Sequence, residues 1–139
     1  MNPFFIGLII YGNFVVALLL YIFIFQRRKV MDLQLGINIS IVAGGMIALT
    51  TGVLLIFQYP FHYTLITIIA TLLGIGVGGV FGALFDYQTF LTGLVNGLML
   101  GLMAPMIGAI ITDQILFIIV IEGFFLLVIT MIIIAIKKS

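Results

Sequence analysis

The sequence has no cysteine, no tryptophan, a single histidine and very few charged residues. Without cysteine, the chain cannot form disulfides, thiolate metal sites or a cysteine nucleophile. One histidine, His62, is too few for a zinc site of the usual histidine-rich kind. Charged residues make up 6% of the 139 residues, against about a quarter in soluble domains. The formal net charge of +1 gives no indication of nucleic-acid binding.

Apolar residues dominate the chain instead. They make up 65% of it, and the mean hydropathy is +1.50. The few polar residues cannot cover the surface of a water-soluble globule, so the composition predicts an integral membrane protein. The apolar runs are too long for the strands of a membrane barrel, and they do not alternate. We therefore predict an all-α membrane protein with a single transmembrane domain, residues 1–139.

Five apolar runs are long enough to cross a bilayer, which takes about 20 residues per helix. We predict these spans at about 3–25, 33–57, 61–85, 89–111 and 115–136. Each run ends at polar or turn-forming residues, and the connections are only a few residues long. Consecutive spans are therefore expected to be antiparallel neighbours.

The basic residues predict the orientation of the spans. All five follow either the first or the fifth span: Arg27, Arg28, Lys29, Lys137 and Lys138. Five crossings put these two places on one side, and the positive-inside rule assigns that side to the cytoplasm. We therefore expect the N-terminus outside and the C-terminus in the cytoplasm. Because the first charges follow the first apolar run, we do not expect that run to be a cleaved signal peptide.

Small residues recur at every fourth position in spans two, three and four. The glycines at this spacing are Gly36, Gly44 and Gly52, then Gly74, Gly78 and Gly82, then Gly93, Gly97 and Gly101. Residues four apart share one helix face, and small residues let membrane helices pack at backbone contact. We predict close packing through these glycine-zipper faces. The pattern leaves open whether the faces pack within one chain, between copies, or along a narrow path.

Polar residues fall at two depths within the predicted spans. The outer third holds Asn13, Thr50, Thr51, Thr67, Thr71 and Glu122, and the inner third holds Gln34, Asn38, Ser40 and Asn96. Two polar layers around an apolar middle are expected of a gated path, and equally of two layers of interhelical hydrogen bonds. The candidates for ion or proton coupling, or for a polar layer, are Glu122, Asn13, Thr50, Thr71, Asn38 and Asn96.

Glu122 is the one acidic residue well inside a predicted span, about seven residues from its outer end. Ionisable residues within membrane helices mark functional sites by default. Because transfer out of water disfavours a carboxylate, we expect Glu122 to be protonated and to donate a hydrogen bond to Asn13 or a threonine. Three interpretations stay open: a structural hydrogen bond, a relay for a proton or cation, and a contact with a separate subunit.

Met99, Met103 and Met106 share a second face of span four with Asn96. Thioethers favour Cu(I), and an MxxxM spacing combined with a GxxxG spacing is similar to the copper-transporter family known for its trimers. That family has three spans and places its glycine motif on a different helix from its methionines. It also has a methionine- and histidine-rich outer tail without counterpart in this sequence. Adaptable packing is the alternative role for these methionines.

The stretch GLVNGLMLGLMAPMIG resembles glycine- and methionine-rich multi-span proteins of Gram-positive bacteria. The resemblance covers spans three and four. It implies a multi-pass protein of the bacterial cytoplasmic membrane, and it implies no particular activity.

No arrangement of residues indicates an enzyme, so we expect no catalysis and no cofactor. The run GIGVGGVFG, residues 74–82, lies within a span and follows no strand, so it does not predict a nucleotide site. The leading prediction is a small oligomeric channel or transporter for an ion or small solute. Its expected partners are the lipid bilayer and either further copies or another membrane protein. The alternatives are a non-transporting subunit or scaffold of a larger membrane complex and, as the lesser one, Cu(I) transport.

Overall fold

The computed structural model describes residues 3–138 as five long α-helices and one short 3-10 turn. The helices are α1 (Pro3–Arg27), α2 (Leu33–Gln58), α3 (Tyr63–Gly82), α4 (Tyr87–Ala109) and α5 (Gln114–Lys138), and the turn is Arg28–Val30. All five helices are long and apolar enough to cross a membrane. The prediction of an all-α chain is therefore confirmed for the described residues, as is the prediction of five helices that are long and apolar enough to span a membrane. Residues 1, 2 and 139, which the predicted domain includes, lie outside the described residues.

Acidic side chains mark the starts of three helices. The Oδ1 atoms of Asp32, Asp86 and Asp113 accept hydrogen bonds from the backbone N–H groups of Leu35, Thr89 and Leu116, at 2.9, 2.8 and 3.2 Å. A carboxylate in this position satisfies a free N–H group at the helix N-terminus. Hydrogen bonds with Thr89 hold the pKa of the Asp86 carboxyl below its ordinary value. With these three at helix starts, Glu122 is the one acidic side chain inside a described helix.

Helix α2 is the centre of the bundle and contacts all four other helices. Its contacts with α3 and α4 are the most extensive, and α3 and α4 also pack closely on each other. Helices α2, α3 and α4 therefore form a three-helix core, while α1 and α5 contact α2 more sparsely.

Glycines occupy the closest approaches between α3 and α4. A Cβ atom added to Gly97 would overlap the carbonyl group of Gly74, and one added to Gly78 would overlap the carbonyl group of Gly93. On α2, a Cβ atom at Gly44 would lie 2.6 Å from the Cα atom of Gly78. The backbones of the three helices thus contact each other where any larger residue would hold them apart.

The other glycines of the spacing pattern also lie against atoms of the same chain. A Cβ atom at Gly36 would meet the ring of Phe85, one at Gly52 would meet Ala104, one at Gly82 would meet Phe90 and one at Gly101 would meet Thr71. Gly7, Gly12, Gly76 and Gly123 differ, because nothing lies within 4 Å of a Cβ atom built on them. The chain therefore has one set of enclosed glycines and one set that faces open space.

Two clusters of buried apolar side chains join α1 and α5 to the core. The Phe125 cluster consists of Ala17, Leu20, Ile24, Ile39, Ala43, Ile47, Phe81, Phe125, Ile129, Ile132 and Ile136. The Phe57 cluster consists of Ile6, Val53, Leu54, Ile56, Phe57, Ile66, Ala104, Ile118 and Ile121. Large branched and aromatic side chains make these contacts, in contrast to the glycines between α2, α3 and α4.

Candidate functional site

A hydrogen bond between two polar side chains joins α1 to α5 within the predicted spans. The amide Nδ2 of Asn13 donates to Oε1 of Glu122 at 2.8 Å. Asn13 is only 5% exposed, and Glu122 is half-buried. The structure thus brings together two residues that are 109 positions apart and that the sequence pattern placed at one depth.

This pair lies between the two apolar clusters. On α1, Asn13 falls between Ile6 of the Phe57 cluster and Ala17 of the Phe125 cluster. On α5, Glu122 falls between Ile121 of the Phe57 cluster and Phe125. Asn13 and Glu122 are therefore polar residues between two groups of apolar residues along their helices. We call this position along the helices the polar level. Counted from Pro3 on α1 and Gln114 on α5, the level is about 12–15 Å along the two helices at 1.5 Å per residue.

Two threonines of α2 lie at the same level along their helix, between Ile47 and Val53. Thr50 is fully buried, and its hydroxyl donates to the carbonyl oxygen of Met46 at 2.8 Å. Thr51 is 2% exposed, and its hydroxyl has no hydrogen-bond partner among the described residues. A buried polar group without a partner costs free energy in apolar surroundings. The Thr51 hydroxyl is therefore an unsatisfied hydrogen-bonding group at the level of Asn13 and Glu122.

The chemistry of the Asn13–Glu122 pair is that of one exchangeable proton or one negative charge. In its protonated, neutral form Glu122 is compatible with apolar surroundings. In its deprotonated form, the carboxylate can bind a cation or accept a proton. Asn13 does not titrate, but its amide can donate to the carboxyl group in either state. The arrangement is therefore suited to proton or cation exchange, and it contains no nucleophile or metal cluster.

The other polar candidates are not hydrogen-bonded to this pair. The Thr71 hydroxyl donates to the carbonyl oxygen of Thr67 on its own helix at 2.7 Å. The amide Nδ2 of Asn96 donates to the carbonyl oxygen of Ile41 at 2.8 Å and so links α4 to α2. Asn38 lies exposed on α2. Of the six residues singled out, Asn13 and Glu122 are in contact and Thr50 lies at their level.

Ser40 was not among those six, yet its hydroxyl lies against two other helices of the core. It is fully buried, and its hydroxyl lies 3.1 Å from the Gly78 carbonyl oxygen and 3.3 Å from that of Thr89. It therefore ties α2 to both α3 and α4. The signal in the sequence was its position midway between Gly36 and Gly44, where a small hydroxyl side chain can fit a close helix contact.

The methionine face of α4 lies on the outside of the bundle. Met99, Met103 and Met106 are 51%, 50% and 59% exposed, while Met46 packs against the Phe125 cluster. Among residues 3–138, no group of three or more histidine, cysteine or acidic side chains could hold a metal ion. Within one chain, these methionines form an exposed line and not an enclosed site.

Comparisons with known proteins found no match to the chain among protein-family models, curated proteins or solved structures.

Proposed function

We propose that the chain is a small oligomeric membrane transporter or channel for a proton or another small ion, with Glu122 as the ion-binding group. The observation that carries this proposal is the Asn13–Glu122 hydrogen bond at 2.8 Å. In this bond an amide pairs with an acidic side chain that lies inside a helix long and apolar enough to cross a membrane. Ionisable residues inside membrane helices are costly and serve ion pathways and proton relays.

The need for several copies follows from the packing of the core. Backbone contacts at Gly74, Gly78, Gly93 and Gly97 close the interface between α3 and α4, so a path through this interface has no room. Gly12 and Gly123, which neighbour Asn13 and Glu122 along their helices, face open space. A helix of another copy can approach closely at these glycines and would supply the second wall of a path along Glu122.

The membrane arrangement of this proposal follows the sequence patterns. The nine spaced glycines act as glycine-zipper faces that hold α2, α3 and α4 together within each chain. The loop with Arg27, Arg28 and Lys29 faces the cytoplasm, as does the C-terminus. Glu122 is then reached from the outer side through the half of the bundle that contains the Phe57 cluster. The location is a bacterial cytoplasmic membrane.

A second candidate is a non-transporting subunit that docks a larger membrane complex. The observation that favours it is a polar surface near the starts of α2 and α4, where Gln34, Asn38 and Gln88 are exposed. Polar side chains are rarely left facing lipid, because each loses its hydrogen bonds there. Another membrane protein that covered this surface would satisfy them.

The mass of the complex after gentle extraction from its own membrane distinguishes these two candidates. For the transporter we expect a defined homo-oligomer in native mass spectrometry, with a mass that is a multiple of the single chain. The same complex should form when the chain is expressed alone in a different host. A foreign subunit at fixed stoichiometry would contradict the transporter proposal and identify the chain as a docking subunit.

Cu(I) transport remains the lesser proposal and makes its own prediction. It requires copies to bring together the exposed lines of Met99, Met103 and Met106, since thioether sites for Cu(I) need several sulfurs. Titration with Cu(I) under reducing conditions should then show binding that Met99→Leu with Met103→Leu abolishes. Met131→Leu is the matched control, because Met131 is also exposed but lies on α5. Binding that survives the double substitution would remove this site.

A further inference from the structure

An open apolar groove runs between α1 and α3. Its volume is about 460 Å³. The α1 wall is formed by Phe14, Ala17, Leu18 and Tyr21, and the α3 wall by Leu72, Leu73, Gly76, Val77, Val80 and Phe81. Nothing lies within 4 Å of a Cβ atom built on Gly76, so this glycine deepens the groove. Among these side chains, only the Tyr21 hydroxyl is polar.

A second hollow, of about 280 Å³, lies at the turns that follow α1 and α3 and at the start of α2. Arg28, Lys29, Met31, Asp32, Leu33, Leu84 and Phe85 line it. Two of these side chains are cationic and one is anionic. The Asp32 carboxylate already accepts a hydrogen bond from Leu35 N–H at 2.9 Å as the N-cap of α2. The hollow therefore has a net positive lining.

The two hollows are adjacent along both walls. Phe81 of α3 lines the groove, and Leu84, in the turn that directly follows α3, lines the basic hollow. Phe14 and Tyr21 of α1 line the groove, and Arg28, which directly follows the last residue of α1, lines the basic hollow. Aromatic contacts connect the two hollows: the rings of Tyr21 and Phe25 are 6.4 Å apart, and the Arg28 guanidinium carbon lies 4.5 Å from the Phe25 ring centroid.

We propose that these two hollows together bind one anionic phospholipid. An acyl chain occupies the groove between α1 and α3, and the headgroup phosphate lies at Arg28 and Lys29. The length fits, because Phe14 and the end of α1 at Arg27, directly before Arg28, are about 20 Å apart along the helix at 1.5 Å per residue. One leaflet of hydrocarbon is about 15 Å thick, and the polar headgroup lies beyond it. An apolar groove with a basic end complements an amphiphile with a negative head.

The headgroup supplies the selectivity of this site. An acyl chain that enters the groove comes from a bilayer interior that is equally apolar. The groove therefore contributes shape and van der Waals contact to lipid binding, but little hydrophobic driving force. A basic residue near an anionic membrane surface, in contrast, contributes measurably to lipid binding. The site is therefore expected to distinguish phospholipids by charge and to keep its lipid when detergent replaces the bulk bilayer.

The test uses the full chain reconstituted into vesicles of equal parts phosphatidylcholine and phosphatidylglycerol. After extraction into mild detergent, native mass spectrometry counts the lipids that stay bound. We expect phosphatidylglycerol to be retained in preference to phosphatidylcholine. Arg28→Gln should reduce the retained phosphatidylglycerol about fivefold, the contribution of one basic residue near an anionic surface.

Arg27→Gln is the matched control for the charge, because the Arg27 guanidinium carbon lies 4.9 Å from the Phe23 ring centroid and Arg27 does not line the hollow. It should reduce retention much less than Arg28→Gln. Equal retention by the two variants, or equal retention of the two lipids by the original chain, would overturn the proposal.

Gly76→Leu tests the groove separately. Nothing lies within 4 Å of a Cβ atom built on Gly76, and the leucine side chain extends into the groove, where it takes the place of the acyl chain. Retained phosphatidylglycerol should fall at least threefold, while Gly7→Leu, at another glycine that faces open space, should leave it unchanged. If Gly76→Leu instead dissociates an oligomer and leaves lipid retention intact, a second copy of the chain covers the groove and the lipid proposal is wrong.

Discussion

Gly97→Leu is expected to prevent the chain from folding into its five-helix bundle. A Cβ atom at this position already overlaps the Gly74 carbonyl group, and the overlapping atoms are backbone, which cannot rotate away. Overpacking in a well-packed core costs about 1–3 kcal/mol even where side chains can shift. We therefore expect Gly97→Ala to lower the midpoint of thermal unfolding in detergent, and Gly97→Leu to leave no monodisperse protein in fluorescence-detected size exclusion.

The matched control is Gly7, a glycine that faces open space. In water, alanine favours a helix over glycine by about 1 kcal/mol, so the intrinsic preference acts in the same direction at every helical glycine. The Cβ atom of Gly7→Ala meets no atom within 4 Å, so this variant should leave the unfolding midpoint unchanged or raise it. If Gly97→Ala were as stable as Gly7→Ala, the backbone contact between α3 and α4 would not be a determinant of the fold.

Glu122→Gln is expected to reduce ion flux through the reconstituted protein at least tenfold. Glutamine has nearly the shape of glutamate, and its carbonyl oxygen can still accept the hydrogen bond from Asn13. It can neither exchange a proton nor carry a negative charge, so the variant should fold and yet lack the coupling group. The measurement is the uptake of protons into vesicles with an enclosed pH-sensitive dye, driven by a potassium gradient and valinomycin.

Asp113→Asn is the control for Glu122→Gln. It also removes one carboxylate, but Asp113 is exposed at the start of α5, and asparagine caps a helix about as well as aspartate. Its flux should equal that of the original chain. If Glu122→Gln also transported at the original rate, Glu122 would be a structural hydrogen-bond acceptor, and the coupling role proposed for it would be wrong.

The number and type of the helices could be predicted because the bilayer imposes a length. About 20 apolar residues are needed for each crossing, and polar or turn residues separate the five runs. The bounds of span three were less accurate: it was predicted at 61–85, whereas α3 runs from Tyr63 to Gly82. Pro60 lies in the turn before α3, and Ala83 to Phe85 turn away from the helix, so apolar residues at both ends belong to loops.

The position of each polar residue along its span could be read from the sequence, but the helix faces that meet could not. Asn13 and Glu122 were placed at one depth, and the structure places them in contact. Thr71 was placed with them, yet its hydroxyl bonds to its own helix, because threonine can satisfy itself on a carbonyl four residues earlier. Depth depends on the distance along one span, whereas a contact depends on how whole helices are arranged around α2.

The role of the spaced glycines illustrates the same limit. Their spacing predicted close packing, but it was equally compatible with contacts between copies. The structure places Gly74 against Gly97 and Gly78 against Gly93 within one chain. It leaves Gly12 and Gly123 facing open space, and these two glycines have large apolar residues four positions before and after them instead of small ones. The spacing thus separated the two sets, but which enclosed glycines meet is decided only when α3 and α4 are brought together as antiparallel neighbours.

The most direct test of the proposed function is the flux of ions by the purified chain alone. Vesicles that contain only this protein and lipid should take up protons, or another small cation, faster than protein-free vesicles, and vesicles with Glu122→Gln should behave like the protein-free ones. Uptake at the protein-free rate by the original chain, in vesicles that contain the correctly folded homo-oligomer, would contradict the proposal that this protein is a transporter or channel.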